Sequence, residues 1–259
     1  MVNQAATQES RQPLRIHGVN AAEGTIAAIH QPNYIPWLGY FFKIAHADKF
    51  VFLDMVVYPV RSLINRNSIK AQHGPAWLTI PVLRRGRSGQ LIGEVETDNT
   101  EGWVARHLAT LRCNYGRAPY FKETFALLEP HYHAVTGDRS SLAAFNTGVI
   151  CSIATHLGVS TQFMHASELS VSGHKTDLLL DICRAIGATT YLAGTGAKSY
   201  QEDAKFEDAG ITPVYSPFSQ RVYPQLFGEF VGNLSVVDVL MNCGCLGTRQ
   251  LLGIECKQD

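Results

Sequence analysis

Polar side chains of several chemical types follow one short apolar run near the start of the chain. His30, Gln31, Asn33 and Tyr34 come directly after Ile26–Ile29, in the stretch IAAIHQPNYIPWLGYFFKIAHADKFVFLD. A histidine at the end of a buried strand can be a general base, an oxyanion donor or a structural residue with internal partners. We predict that His30 is catalytic and that the amide and phenol groups beside it orient a polar substrate.

A second candidate lies at the end of the next apolar run. The spacing predicts a strand over Ile26–Ile29, a helix from about Leu38 to Ala47, and a strand over Phe50–Leu53 that leads to Asp54. In parallel α/β sheets, ligands bind outside the carboxyl ends of the strands. We therefore predict that Asp54 is the second catalytic residue, which either orients His30 or binds a hydroxyl or an amine.

The second half of the chain alternates between strand and helix patterns. The predicted elements are a strand over Gln162–His165, a helix over Thr176–Ile186, a strand over Thr189–Ala193, a helix over Tyr200–Ala209 and a strand over Ile211–Tyr215. This alternation indicates a parallel sheet. Lys175, Gly194 and Gly196 fall where a cation and backbone N–H groups can face an anion, although a plain tight turn explains the glycines equally well. We expect His30 and Gly194 at one edge of one sheet.

The middle of the chain changes character twice. Apolar runs predict strands over Val56–Val60, Trp77–Val82 and Leu91–Val95, and the polar stretch Arg61–Lys70 predicts a loop in which Asn65, Arg66 and Lys70 hold an anion. Residues 99–158 have helical spacing. The predicted fold is α/β, a mostly parallel sheet flanked by helices, with 99–158 as a helical subdomain within one domain over 25–259 and a flexible tail over 1–24.

Composition excludes several classes of protein. The 22 Lys and Arg residues equal the 22 Asp and Glu residues, so the bulk charge does not indicate a nucleic-acid partner. The six cysteines are scattered without metal-ligand spacing, so we expect no metal site and free thiols in a reducing cytoplasm. No apolar run is long enough to predict a membrane span.

Taken together, the motifs resemble those of the WbqC-like family of bacterial proteins. The resemblance covers about Ile26 to Leu252 and rests on the segments HQPNYIPWLGYFFKI, INRNSIK with WLTIPV, HKTDLLLDICRAIGATTYLAGTGAKSY, and VYPQLFGEF with NLSVVDVLMNCG. It implies a setting in polysaccharide or natural-product biosynthesis. A transferase or ligase that moves an acyl or aminoacyl group to an amine or amino sugar is the first hypothesis for this chain, with a small molecule as its substrate.

A more distant resemblance links the opening unit to nucleotidylyltransferase-like α/β enzymes. Those enzymes carry an H-x-G-H signature after the first strand, whereas this chain has Pro36-Trp37-Leu38-Gly39-Tyr40 there, with the glycine but neither histidine. The second hypothesis is therefore an adenylylating enzyme that uses ATP. The third is a non-catalytic binding or scaffold protein, with other biosynthetic enzymes or a second copy of the chain as its partner.

Overall fold

The structure, a computed structural model, describes residues 24–199 and 201–254, so the predicted tail lies almost entirely outside the described residues. The strands are β1 (Ile26–His30), β2 (Lys49–Phe52), β3 (Arg66–Ala71), β4 (Gly74–Thr79), β5 (Gln162–His165), β6 (Thr190–Ala193) and β7 (Thr212–Tyr215). The helices are α1 (Leu38–Ala45), α2 (Trp103–Tyr115), α3 (Phe121–His133), α4 (Leu142–His156), α5 (Lys175–Ala185), α6 (Asp203–Asp208) and α7 (Val236–Leu252).

Five strands form one parallel sheet in the order β5-β2-β1-β6-β7. The central strand β1 is a run of small and branched apolar residues, and its interior residues Ala27, Ala28 and Ile29 are buried, as a strand covered on both faces requires. The chain adds β2 and β5 on one side of β1 and then crosses over to add β6 and β7 on the other. The predicted α/β class is confirmed, and the strand order reverses between β1 and β6.

Three helices, α2, α3 and α4, lie between β4 and β5 in the sequence. The helical spacing of Trp103, His107, Leu108, Leu111 and Tyr115 gives α2 one buried face. The Ser141 hydroxyl caps the start of α4 by accepting a hydrogen bond from the Ala144 N–H. These helices cover the face of the sheet that also carries α1 and α7.

Three of the predictions for the middle of the chain are wrong. Val56–Val60 is not a strand, because it contributes only an isolated bridge between Val57 and Leu91. The region Leu91–Val95 forms a short 3-10 turn over Ile92–Glu94, which is held by the Glu94 carboxylate on the Leu91 N–H.

The polar stretch Arg61–Lys70 is the third error, because its second half is not a loop. Arg66–Ala71 forms β3, which pairs antiparallel with β4. Asn67 is buried there, and its side-chain amide donates to the Ile35 carbonyl at 2.8 Å. A buried polar residue that has a backbone hydrogen-bond partner can lie in a strand. Polarity alone therefore predicts a loop where the chain forms a strand.

The last helix is anchored by a buried carboxylate. The Ser235 hydroxyl caps α7 by accepting from the Val237 N–H, and a kink at Gly244, where φ is 65°, interrupts the helix before it continues to Leu252. In the first turn of α7, Asp238 is fully buried and accepts hydrogen bonds from the hydroxyl of Tyr115 at 2.7 Å, the hydroxyl of Tyr223 at 2.8 Å and the amide of Gln225 at 2.7 Å. Asp238 thus joins α2, α7 and the loop that precedes α7.

No helix within residues 24–199 and 201–254 is long and apolar enough to cross a membrane.

Replacing Asp238 by alanine is expected to lower the free energy of unfolding by about 3–5 kcal/mol, because two buried tyrosine hydroxyls and the partly buried Gln225 amide lose their common acceptor. Urea denaturation measures the change. Asp181→Ala removes a partly exposed carboxylate from α5 and should alter stability by less than about 1 kcal/mol. Equal effects of the two substitutions would contradict the anchoring role of Asp238.

Candidate active site

The carboxyl ends of the parallel strands bring several polar residues to one edge of the sheet. His30 ends β1, Asp54 lies just beyond β2, His165 ends β5, and Gly194 follows β6. Since β1 and β6 are parallel neighbours, His30 and Gly194 lie at the same edge, as expected from the sequence. In the register of β2 and β5, Phe52 is opposite His165, so Asp54 projects just past that histidine.

Asp54, His165 and Ser167 form a hydrogen-bonded cluster at this edge. The Asp54 Oδ2 atom lies 3.0 Å from His165 Nδ1 and accepts from the Ser167 hydroxyl at 2.7 Å. Its Oδ1 atom accepts from the Ser167 N–H at 2.9 Å. Asp54 is only 5 % exposed, so its charge depends on these donors.

The hydrogen bond to Asp54 determines which ring nitrogen of His165 carries the proton. A carboxylate can only accept at His165 Nδ1, so the Nδ1 proton is held toward Asp54 and the Nε2 lone pair remains available. The His165 side chain is 32 % exposed, which leaves it accessible to a substrate. The Ser167 hydroxyl donates to Asp54 rather than to His165, so the three residues do not form a nucleophilic serine triad.

The cluster opens into a cavity of about 690 Å³ between the sheet edge and α4. The lining residues are Phe52, Asp54, Met55, Leu91, Gly93, Glu94, Ser141, Ala143, Ala144, Thr147, Gly148, Cys151, Phe163, His165 and Ser167. Aromatic and aliphatic walls with a few convergent polar groups are typical of small-molecule sites. Burial raises the pKa of the Cys151 thiol to about 11, so Cys151 lines the wall as a thiol rather than as a thiolate nucleophile.

Asp54 lies at the carboxyl edge of the sheet, as predicted, but its hydrogen-bond partners differ from those expected. Sequence reasoning paired it with His30 or with a substrate amine, whereas the structure pairs it with His165 and Ser167. Both partners were missed. The available signal was the position of His165, which ends a predicted strand of the parallel sheet in the same way as His30 does.

His30 has a more enclosed environment than His165. Its Nδ1 atom lies 3.1 Å from the Gln31 carbonyl, and its ring makes edge contacts with Trp37 and Tyr40 at centroid distances of 5.6 and 4.8 Å. Burial, and then the nearby Lys43 ammonium, lower the pKa of His30 to about 3. A group with this pKa is uncharged and a weak base near neutral pH, so acid–base catalysis by His30 stays a prediction with less support than that by His165.

The neighbours of His30 are largely enclosed. Tyr34 is fully buried, and its hydroxyl contacts His107 Nδ1 at 2.9 Å and the Tyr132 hydroxyl. Asn33 is also buried, and Gln31 is half-buried with a carbonyl that accepts from the Tyr40 hydroxyl at 3.0 Å. Tyr34 therefore packs the loop after β1 against α2 and α3. It does not face the solvent, where it was expected to contact a substrate.

The residues predicted to hold an anion, Asn65, Arg66 and Lys70, each have partners within the protein. The Asn65 amide donates to the Ile80 carbonyl at 2.9 Å, and the Arg66 guanidinium donates to the Arg61 carbonyl and stacks on a tryptophan. Lys70 is buried and donates to Gln225 Oε1 at 3.1 Å and to the carbonyl of Glu229. All three donors thus have internal partners on or beside the β3–β4 hairpin.

The remaining candidates lie at the far side of β1. Lys175 is exposed at the start of α5, Gly194 is half-buried, and Gly196 is exposed in a 3-10 turn over Thr195–Ser199. Neither glycine has a positive φ, and a Cβ atom added to either would meet nothing within 4 Å. Space for a side chain is therefore open at both glycines, and the predicted role in ligand binding stays a prediction.

Lys43 was not singled out from the sequence, although it is the most unusual charge in the region. It lies in the last turn of α1, is 4 % exposed, and its Nζ atom donates to the Ile29 carbonyl at 3.3 Å. Burial lowers the pKa of Lys43 to about 7. Its position near the end of β1 explains why its charge also acts on His30.

No group of three or more histidine, cysteine or acidic residues that could hold a metal ion occurs in the described part of the chain. Four of the cysteines described there, Cys113, Cys151, Cys183 and Cys243, are free thiols.

Comparison with known proteins identifies relatives of the chain. The WbqC-like protein family matches residues 31–250. The chain is 35 % identical over 218 residues to the uncharacterized protein Rv1507c of Mycobacterium tuberculosis strain H37Rv, which covers 84 % of this chain and 93 % of that protein. No solved structure matches, so the resemblance to nucleotidylyltransferase-like folds is not confirmed.

Lys43→Met is expected to stabilise the protein at neutral pH by up to a few kcal/mol, because it removes a buried charge without a carboxylate partner. The folded pKa of about 7 lies below the ordinary 10.5, so between these values the unfolded state holds a proton that the folded state lacks. Stability of the natural protein therefore rises with pH over this window, and the advantage of the variant shrinks.

Urea denaturation at several pH values between about 6 and 10 measures the difference between the two proteins. The exposed Lys122, changed to methionine, controls for the substitution itself. An advantage of Lys43→Met that does not vary with pH would show that Lys43 keeps its ordinary pKa in the folded protein.

Proposed function

The chain belongs to the WbqC-like protein family, and we propose that it transfers an acyl or aminoacyl group to the amine or hydroxyl of a small polar molecule. An amino sugar in polysaccharide or natural-product biosynthesis is the kind of acceptor that suits the family. The observation that carries the proposal is the pairing of the buried Asp54 carboxylate with His165, which faces a cavity of about 690 Å³.

His165 acts as the general base. The acceptor amine or hydroxyl attacks the carbonyl carbon of the donor and forms the new bond while His165 Nε2 takes its proton. The Asp54 carboxylate, 3.0 Å from Nδ1, stabilises the imidazolium that results. When the carbonyl reforms, the bond to the leaving group breaks and His165 returns the proton to that group.

Ser167 supports this step by fixing Asp54. Its N–H and hydroxyl bind different oxygens of the carboxylate, so Asp54 cannot rotate without losing one of them. The cavity walls supply the rest of the site, because Phe52 and Phe163 exclude water on the sheet side and Thr147 offers a hydroxyl from α4.

The adenylylating alternative also has an observation in its favour. The strand order reverses between β1 and β6, and that crevice is where nucleotides bind in open α/β sheets. Against it, the chain lacks both histidines of the H-x-G-H signature. An enzyme of this kind would release pyrophosphate from ATP in the presence of the substrate, and the transferase would not.

The substrate class is best identified by comparing metabolites from a strain with the intact gene and a strain that lacks it. The missing enzyme should leave its acceptor unmodified, and the accumulated compound then serves as substrate for the purified protein. A scaffold role predicts that the purified protein does not convert this compound under any donor condition.

With that substrate, His165→Gln is expected to lower turnover at least about 100-fold, because it removes the proton acceptor. Asp54→Asn should lower turnover as well, since an amide cannot accept from both His165 and the Ser167 N–H and hydroxyl. Initial rates measure both effects, and circular dichroism verifies folding.

The matched control is His133→Gln, which changes an exposed histidine on α3. It should retain the activity of the natural protein. A folded His165→Gln protein with natural turnover rules out the assigned base.

A further inference from the structure

The strands β1 and β6 separate toward the edge of the sheet that carries the acid–base cluster, and we call the space between their carboxyl ends the crevice. The two strands pair only near their amino ends, where Ile26 is opposite Thr190 and Ala27 is opposite Tyr191. By contrast, β1 and β2 remain paired through His30. Since the strand order reverses between β1 and β6, this is the switch point at which open α/β sheets bind ligands.

Lys43 reaches into this crevice. The His30 carbonyl accepts from the Leu53 N–H on the β2 side, at 2.9 Å. Because carbonyl directions alternate along a strand, the Ile29 carbonyl is directed to the opposite side, toward β6. The Lys43 Nζ atom donates to that carbonyl at 3.3 Å, which places a positive group between the carboxyl ends of β1 and β6.

Among the described residues, no carboxylate serves as a counterion for Lys43. Lys43 is 4 % exposed and forms no ion pair with any carboxylate of residues 24–199 and 201–254. Burial of an ammonium group without a counterion is costly, and a methionine would fill the same space without that cost. Stability of the fold therefore gives no reason for a lysine here, whereas an anionic ligand would.

The two glycines after β6, Gly194 and Gly196, also suggest that a ligand binds in the crevice. Both follow β6 across the crevice, their φ angles are accessible to any residue, and a Cβ atom at either would meet no protein atom within 4 Å. Neither backbone conformation nor protein packing requires glycine at these positions. A ligand that approaches the backbone N–H groups closely would require it.

We propose that this crevice binds the phosphate of a phosphate-bearing group donor, with Lys43 as its counterion and the Gly194–Gly196 backbone as its second wall. Lysine binds phosphate as a point charge, and backbone N–H groups supply the directional contacts. The inference rests on the proposed transfer function for its role, since the donor would lie beside the acceptor cavity. ATP and coenzyme A share this chemistry and are distinguished in the test.

Isothermal titration of the full chain with ATP, coenzyme A and inorganic pyrophosphate tests the proposal. We expect at least one to bind, and Lys43→Met to weaken its binding at least about 10-fold without lowering the melting temperature of the free protein. Lys49→Met is the matched control. Lys49 also donates to a backbone carbonyl, that of Ile186 at 2.7 Å, but it begins β2 at the opposite edge of the sheet.

Gly196→Ala provides a second variant that does not depend on a charge. The added methyl group fits the protein and should leave the melting temperature unchanged, but it should weaken phosphate binding at least about 10-fold by occupying the ligand's space. Gly232→Ala, where an added Cβ would meet its first neighbour at an ordinary 3.6 Å, is the control.

The proposal is overturned if none of the three compounds binds, or if both Lys43→Met and Gly196→Ala bind as tightly as the natural protein. His165→Gln separates this result from the proposed reaction. It should bind the phosphate compound normally while turnover is lost. Normal turnover of His165→Gln together with lost binding in Lys43→Met would refute the assigned base and retain the phosphate site.

Discussion

The buried carboxylate of Asp54 is the constraint on which the candidate site depends. A carboxylate that is almost fully removed from water needs donors, and here all of them come from the residues at and just beyond the end of β5, His165 and Ser167. This requirement ties the end of β2 to the end of β5. It also explains why a histidine that is partly open to solvent is held in one orientation at the edge of the sheet.

Two histidines occupy equivalent places at the ends of parallel strands, and their surroundings make them chemically different. His30 is enclosed by Trp37 and Tyr40 beside the charge of Lys43, so its neutral form is strongly favoured. His165 has a carboxylate on Nδ1 and a cavity in front of it. The second arrangement suits proton transfer, and the first suits a neutral wall of the crevice between β1 and β6.

Much of the fold could be predicted from periodicity alone. β1, α1 and β2 follow from apolar runs and turn residues, and α2, α3 and α4 lie within residues 99–158, where the spacing is helical. The errors have a common cause. An apolar run such as Val56–Val60 predicts a strand, and the polar residues of β3 predict a loop, because a sequence does not reveal which polar groups find buried partners.

The same limit applies to the site. The edge of the sheet was predictable, since parallel strands end together, and Asp54 and Gly194 lie there. The partner of Asp54 was not predictable, because β5 is separated from β2 by more than a hundred residues and becomes its neighbour only through the sheet. Lys43 was missed for a related reason, since a lysine in an amphipathic helix is ordinarily solvated.

The state of the His165 ring tests the acid–base assignment most directly. Long-range proton–nitrogen NMR correlation of the imidazole shows which nitrogen carries the proton in the neutral form. The contact with Asp54 predicts a proton on Nδ1 and a free lone pair on Nε2, and loss of this preference in Asp54→Asn. A neutral His165 with its proton on Nε2 in the natural protein would contradict the assignment, since Nε2 could not then accept a proton from the acceptor.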